Sequence, residues 1–198
     1  MVKFGADRPA DPAAKLAAAL GQLARARRIH RQDVATRHGL SPLQLELLAT
    51  IAAGEPPEPS VGLLARELGI TQPTATDAIT ALERKGLVRR DRVVDRRRRT
   101  HVRLTPPGRE LASLDDPFVA AAHTVDPDLR DATLEGALSM IAALVHDGTI
   151  TVARTCLTCR FHRRDGDGGS RCDLLGMPLP RSELRVNCPE HQPAEPAA

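Results

Sequence analysis

Apolar residues recur at the three- and four-residue spacing of amphipathic helices in several runs that turn residues separate. The first run follows Asp11, which with the proline after it makes a helix-start signal, and continues to about Thr36. The second starts at Ser41, with Gln44 at the capping-box position, and ends at Gly54. These patterns predict two helices in the first quarter of the chain.

Two shorter helices are predicted after a proline-rich connector at residues 55–59. Ser60 can cap the first of them, which ends at Gly69, and Thr71 can cap the second, which ends at Gly86. Because so few residues separate them, the pair predicts a helix-turn-helix.

A polar hairpin and three more helices complete the regular pattern. Residues 87–93 and 100–105 are expected to be strands around an arginine-rich turn. Helices are expected at 105–114, in a weaker stretch up to His123, and at 128–146. We therefore predict a mainly α fold with a small β-wing.

The periodicity fades after residue 150, where we place a domain boundary. Residues 1–150 would form the helical domain, residues 151–192 a small loop-rich cysteine module, and residues 193–198 a disordered tail. The module is expected to have only a small core of its own. Its apolar residues are Leu174, Leu175, Met177, Leu179, Leu184 and Val186.

Composition changes the picture in two ways. The chain has three Phe and no Tyr or Trp, which argues against a platform that stacks unpaired bases on aromatic rings. The net charge is only +3, but residues 84–109 contain eleven basic and two acidic residues, so a local charge of +9 is offset by −6 elsewhere. Four consecutive arginines, Arg96 to Arg99, would repel one another unless a polyanion neutralised them; the alternative is a solvated turn.

Four stretches of the sequence carry a family resemblance: Leu40-Ser-Pro-Leu-Gln, Leu64-Ala-Arg-Glu-Leu-Gly-Ile-Thr-Gln-Pro-Thr-Ala-Thr, Leu82-Glu-Arg-Lys-Gly-Leu-Val-Arg-Arg, and Asp95-Arg-Arg with Leu104-Thr105 and Gly108 after it. They resemble the MarR family of winged helix-turn-helix transcriptional regulators. The resemblance implies a DNA-binding lobe at about 40–109 and a homodimer whose first and last helices interleave. It also implies a repressor that binds a palindromic operator in double-stranded DNA and responds to a small-molecule effector.

The candidate DNA-binding residues lie on the recognition helix, 72–85, and the wing, 88–104. A glutamine can pair with adenine, a carboxylate can accept from cytosine, and threonine hydroxyls can bind phosphates, although each threonine could instead be an ordinary exposed residue. The set is Gln72, Thr74, Ala75, Thr76, Asp77, Thr80, Arg84, Arg96, Arg97, Arg98 and Arg99. The resembled family carries an Asp-x-Arg motif in its wing, which Asp95 and Arg97 match.

All four cysteines lie in the module. Cys156 and Cys159 form a CxxC pair, Cys172 follows after twelve further residues, and Cys188 after fifteen more. Four thiolates suit a zinc ion and also an iron–sulfur cluster, and a loop-rich module of this size needs such a staple. His162 or His191 could replace one sulfur. The site would be structural, or it would sense a metal or an oxidant.

Two other function classes are compatible with the sequence. One is an enzyme that uses Cys156 and Cys159 as a dithiol or at a metal, and the other is an adaptor whose module binds a protein partner. A non-enzymatic DNA-binding regulator is the leading hypothesis. With no secretory signal and no apolar run long enough to span a bilayer, we expect a cytoplasmic protein.

Overall fold

The computed structural model describes residues 11–54, 59–92, 100–165 and 169–194. The helices are α1 (Pro12–Arg37), α2 (Pro42–Ala52), α3 (Val61–Glu67), α4 (Gln72–Arg84), α5 (Pro106–Ala112), α6 (Pro117–His123) and α7 (Pro127–His146). The strands are β1 (Val88–Arg92), β2 (Thr100–Leu104), β3 (His162–Arg164), β4 (Ser170–Cys172) and β5 (Met177–Pro178). The mainly α prediction with a small hairpin is confirmed.

The helix starts follow the predicted capping chemistry. Ser41 and Gln44 form a reciprocal box, in which the Ser41 N–H donates to Gln44 Oε1 at 3.1 Å and the Gln44 N–H to Ser41 Oγ at 3.2 Å. The Ser60 hydroxyl accepts from a backbone N–H of α3, and the Thr71 hydroxyl from one of α4. Each cap satisfies an N–H that the first turn of a helix leaves without an intrahelical partner.

The chain divides into two compact units, residues 1–46 and 47–198, and the division falls within α2. The first unit contains α1, with Val34, Ala35 and Leu40 buried. The second contains α3 to α7 and all five strands. These units do not coincide with the boundary that the sequence predicted near residue 150.

The core of the winged lobe joins α3, α4 and the first hairpin. Leu64 of α3, Ile79 and Leu82 of α4 and Val102 of β2 are fully buried. β1 and β2 are antiparallel, with Val88 opposite Leu104 and Arg92 opposite Thr100. The Val102 N–H donates to the carbonyl of Pro59 at 2.8 Å, just before α3. The hairpin is therefore held against the helix-turn-helix by packing and by a backbone bond.

The cysteine module packs on α7. Its buried cluster consists of Leu138 from α7 with Cys156, Leu179 and Leu184. Of the six apolar residues expected to form its core, the other four are substantially exposed: Leu174, Leu175, Met177 and Val186. The core is thus as small as expected and is shared with α7, since the three short strands of the module bury few apolar side chains of their own.

Among the helices that the structure describes, none is long and apolar enough to cross a bilayer.

Candidate DNA-binding surface and cysteine module

The recognition helix α4 has one buried and one exposed face. Ala75, Ala78, Ile79 and Leu82 point into the lobe, whereas Gln72, Thr74, Thr76, Asp77 and Arg84 are exposed. Ala75 has no exposed surface, so we remove it from the candidate set: one turn into the helix its methyl is part of the core. The remaining exposed residues form a polar face that a ligand can reach.

Two threonine hydroxyls of α4 already donate their protons to the helix backbone. Thr76 donates to the Gln72 carbonyl and Thr80 to the Thr76 carbonyl, each at 2.8 Å. Thr74 shares a 2.8 Å hydrogen bond with the hydroxyl of Thr71. With its proton committed to the backbone, Thr76 presents lone pairs outward, as Asp77 does. The centre of the face is therefore suited to accept hydrogen bonds from the amino groups of adenine and cytosine.

Arg90 of β1 joins the wing to α4. Its Nη1 lies 2.7 Å from Glu83 Oε2, and its Nη2 donates to Thr80 Oγ1 at 2.9 Å. The Thr80 hydroxyl therefore donates to the helix backbone and accepts from Arg90, so it helps to fix the position of the hairpin against α4. Sequence reasoning missed Arg90, because the contacts span seven and ten residues around a turn and depend on how the hairpin leans.

The base of the wing carries its own charge cluster. Arg89 and Arg103 stand opposite each other on β1 and β2, and both guanidinium groups lie 3.2 Å from Asp91. One carboxylate thus relieves the repulsion between two arginines. The wing tip, which includes Asp95 and Arg96 to Arg99, lies outside the described residues.

A cavity of about 550 Å³ opens beside β2 and α5. Apolar groups of Ile51, Val102 and Leu104 line it, with the guanidinium-bearing residues Arg89, Arg103 and Arg109 among its walls. Arg109 is held in place by a 3.0 Å hydrogen bond from its Nη1 to the Leu104 carbonyl. Such a mixture suits a small ligand with an apolar body and a negative group.

Two similar turns present cysteines in the module. The Cys159 N–H donates to the Cys156 carbonyl, and the His191 N–H to the Cys188 carbonyl, each at 3.1 Å. A short backbone ladder joins these segments, because Cys156 donates to the Arg185 carbonyl at 3.0 Å and Cys188 to the Arg154 carbonyl at 2.7 Å. The Arg185 N–H also donates to Cys156 Sγ at 3.2 Å. The fold therefore brings sequence-distant cysteines to one end of the module.

The four thiols are free. Burial raises the pKa of Cys156, and negative charge on Cys188, Cys172 and Cys159 raises that pKa further. A raised pKa favours the protonated thiol, which makes Cys156 a weaker nucleophile. Throughout the described residues, no three His, Cys, Asp or Glu side chains converge closely enough, as they stand, to hold an ion.

Each histidine of the module already has a hydroxyl partner. His162 Nε2 lies 3.0 Å from Ser170 Oγ, and His191 Nε2 lies 3.0 Å from Thr158 Oγ1. Burial is the main cause that lowers the pKa of both histidines. These contacts leave Nδ1 as the nitrogen through which either histidine could replace a sulfur.

The module contacts two helices through charged side chains. Glu135 of α7 lies 2.6 Å from Arg181 Nε and 3.6 Å from Arg164 Nη2. Glu67, the last residue of α3, lies 3.4 Å from Arg154 Nε, and the two side chains are only 18% and 15% exposed. The module is therefore linked to the helix-turn-helix as well as to α7.

The comparison of this chain with known proteins agrees with the geometry of the lobe. Residues 38–99 match the MarR family. This range contains the helix-turn-helix and extends to the wing tip. No protein of curated function matches the chain.

Solved MarR-type structures share the fold of the larger part of the chain. The Sulfolobus solfataricus regulator BldR is 26% identical, with a TM-score of 0.52, and the match covers 69% of this chain and 99% of BldR. Staphylococcus aureus MarR in complex with salicylate and kanamycin is 18% identical, with a TM-score of 0.55 and coverages of 67% and 92%. A Staphylococcus aureus MepR–DNA complex is 17% identical, with a TM-score of 0.54 and coverages of 63% and 93%.

The chain therefore has the MarR-type winged helix fold. Each of these three relatives is covered almost completely, whereas at least 31% of this chain has no counterpart in them.

Proposed function

We propose that the chain is a MarR-family transcriptional regulator that binds duplex DNA. The observation that carries the proposal is the exposed polar face of α4, which lies beside a basic hairpin on one buried core. Gln72, Thr74, Thr76 and Asp77 would enter the major groove, and the arginines of the wing tip would enter the adjacent minor groove, where the negative potential favours guanidinium groups. Thr80 would position the wing, and Arg84 would bind a phosphate.

The charge distribution supports this orientation. The local charge of +9 at residues 84–109 attracts phosphates, while the negative remainder of the chain discourages binding through other faces. Glu83 and Asp91 neutralise arginines at the base of the wing and leave the tip as its most basic part.

We infer a homodimer that acts as a repressor by occupying a palindromic operator. Large apolar side chains are exposed on α1 and α7, including Leu16, Leu23 and Ile29 on the first helix and Leu129 and Leu144 on the last. A second copy of the chain would cover these faces. Two lobes would then read half-sites about one helical turn apart.

The cavity beside β2 is the candidate effector site. Its arginines and apolar walls suit a small aromatic acid, and salicylate accompanies the Staphylococcus aureus relative. A ligand there would contact β2 and α5 and so alter the seating of the wing.

The four cysteines would hold one metal centre. Thiolate ligands favour zinc or an iron–sulfur cluster over harder cations, and the small core of the module explains why it needs such a centre. A zinc site would be colourless, whereas a cluster would make the protein brown.

DNA binding is tested with DNA from upstream of the gene itself, by fluorescence anisotropy over a range of salt concentrations. Changing Arg96 to Arg99 together to alanine should weaken binding about tenfold or more and reduce the salt slope by about one unit for every phosphate that is no longer neutralised. The control is Arg25→Ala/Arg28→Ala, on exposed residues of α1, which should keep most of the affinity. Equal losses in both variants, or no binding by the unmodified protein, would contradict the proposal.

A further inference from the structure

A further cavity, of about 310 Å³, lies between the C-terminal end of α7 and the cysteine module. We propose that it binds a small, uncharged, largely apolar molecule that donates one hydrogen bond, such as a phenol. The site lies outside residues 38–99, the range that matches the MarR family, and the proposal does not depend on DNA binding.

Three stretches of the chain form the walls of this cavity. The last turns of α7 provide Ala142 and Val145, the segment that carries the first cysteines provides Leu157, and the C-terminal end of the module provides Pro193 and Ala194. Their side chains are apolar and small or of medium size. The cavity is therefore a space where a ligand can bury apolar surface between the helix and the module.

Backbone hydrogen bonds hold these walls in place. The Ala194 N–H donates to the Thr158 carbonyl at 3.0 Å, which ties the C-terminal segment to the chain that follows the first cysteine. At the end of α7, the Ile150 N–H donates to the Leu144 carbonyl at 3.1 Å and turns the chain back towards the module. A cavity with such walls is largely formed before a ligand arrives, which lowers the entropy lost on binding.

The lining selects against ionised ligands. Among the described residues that line the cavity, none is an arginine, lysine, aspartate or glutamate. An ionised group that left water for this site would meet no fixed opposite charge, which makes its transfer costly. The cavity beside β2 has the opposite character, because Arg89, Arg103 and Arg109 are among its walls. The two cavities should therefore discriminate between an uncharged molecule and an anion of the same shape.

Thr158 and His191 determine which hydrogen bond a ligand can make. Thr158 is buried, and it donates its single hydroxyl proton to backbone carbonyls, with Ala153 at 3.0 Å and Thr155 at 3.1 Å. The 3.0 Å contact between Thr158 Oγ1 and His191 Nε2 is then donated by the imidazole N–H. In the neutral ring, this leaves Nδ1 of His191 without a proton, so that it can only accept. The matching ligand group is a donor, such as a phenolic hydroxyl.

The test uses the full-length protein and naphthol, a fluorescent phenol with an apolar body. The chain has no Trp and no Tyr, so the signal comes from the ligand alone. We expect saturable binding with a Kd below about 1 mM. Naphthoate, which carries a carboxylate in place of the hydroxyl, should bind this cavity at least about tenfold more weakly.

Ala142→Leu fills part of the cavity from α7 and should weaken naphthol binding about tenfold or more. The matched control is Ala112→Leu, which places the same side chain in the cavity beside β2 and should leave the Kd for naphthol within about twofold. Both alanines are half-buried and lie on helices. Naphthoate is titrated into the Ala112→Leu protein, so that the arginine-lined cavity does not contribute. Circular dichroism checks that each variant is folded.

His191→Phe tests the hydrogen bond while it keeps an aromatic ring in the wall. The affinity for naphthol should fall about three- to tenfold, as expected for the loss of one hydrogen bond. The affinity for naphthalene, which has no hydroxyl, should not fall. A further measurement needs no variant: hydrogen exchange at the Ala194 amide, which is bonded to Thr158, should slow when naphthol is bound.

Each contrary result has a distinct meaning. No saturable binding by the unmodified protein up to about 1 mM naphthol overturns the site. Binding that survives in Ala142→Leu but is lost in Ala112→Leu, or exchange that slows at β2 and not at Ala194, overturns its location. Equal affinities for naphthol and naphthoate overturn the class of ligand. Since no arm of the test contains DNA, failure here leaves the proposed regulator function untouched.

Discussion

Gly108 shows how closely the lobe is assembled at one residue. Thr105 donates its N–H to the Leu87 carbonyl at 3.1 Å and its hydroxyl to the Gly86 carbonyl at 2.6 Å, which draws the start of α5 onto the chain before β1. A Cβ at Gly108 would overlap the carbonyl oxygen of Leu87. Glycine is required here by a close backbone approach and not by an unusual torsion angle.

We expect Gly108→Ala to lower the free energy of unfolding by about 1–3 kcal/mol, because backbone must move to admit the methyl group. Chemical denaturation followed by circular dichroism measures the change. The control is Gly21→Ala in α1, where a Cβ has no neighbour within 4 Å and alanine should stabilise the helix by about 0.5–1 kcal/mol. A neutral Gly108→Ala would show that α5 can lift away from Leu87 at no cost.

Residue types alone could predict the helix caps but not every surface role. The cap assigned to Ser60 is present as expected, since a hydroxyl followed by an apolar run has a strong local preference. The place of Ala75 near the helix start predicts a DNA-binding role, yet the residue is buried. The apolar spacing of Ala75, Ala78, Ile79 and Leu82 already marks the buried face of α4, so Ala75 belongs to the core on the sequence pattern as well.

At the scale of elements, Arg90 determines how the wing and the recognition helix are oriented. Its two hydrogen bonds reach Glu83 and Thr80 on successive turns of α4, so the hairpin cannot lean independently of the helix. A rigid relative orientation lowers the entropy lost when both elements enter neighbouring grooves at once.

Replacing Arg90 with Gln should therefore weaken DNA binding about fivefold and lower the free energy of unfolding by only about 1 kcal/mol, since the pair is partly exposed. Anisotropy and thermal denaturation measure the two effects. Arg89→Gln removes the same charge from the same strand, where the arginine pairs with Asp91 and not with α4, and it should weaken binding less. Equal losses of DNA affinity in the two variants would show that Arg90 contributes only its charge and not the orientation of the hairpin.

Most elements were predictable because their signals are local. The helices begin and end close to the predicted limits, and the two strands of the wing pair as expected. The Arg90 contacts were not predictable, because they depend on the twist and tilt of the hairpin against α4. Metal binding by the four cysteines stays a prediction from their spacing, whereas the link of the module to α3 through Arg154 and Glu67 arises only from the tertiary fold.

At the scale of the whole molecule, the cysteine module and α7 share one core. Leu138 is almost completely buried although it lies on a helix that exposes Leu129 and Leu144. Glu135, one helical turn before Leu138, forms ion pairs with Arg164 and Arg181 of the module. The module is thus bound to α7 by apolar contact at its centre and by charge at its edge.

Leu138→Ala and Leu184→Ala should each destabilise the module by about 2–5 kcal/mol, the usual cost of truncating a buried leucine. Limited proteolysis at increasing temperature measures the loss. Leu175→Ala, at a position that is 45% exposed, is the control and should change stability by only about 0.5 kcal/mol. Should Leu138→Ala leave proteolysis unchanged, the module would not need α7 for its own folding.

The shared leucine also limits how this architecture can be rearranged. A gene fusion that carried only residues 151–192 to another protein would leave Leu179 and Leu184 without the helix that covers them. The reciprocal deletion would leave Leu138 in water on a helix that already exposes other leucines. The cysteine module is therefore not an independent folding unit. Any rearrangement of the gene that keeps the module folded must keep α7 with it.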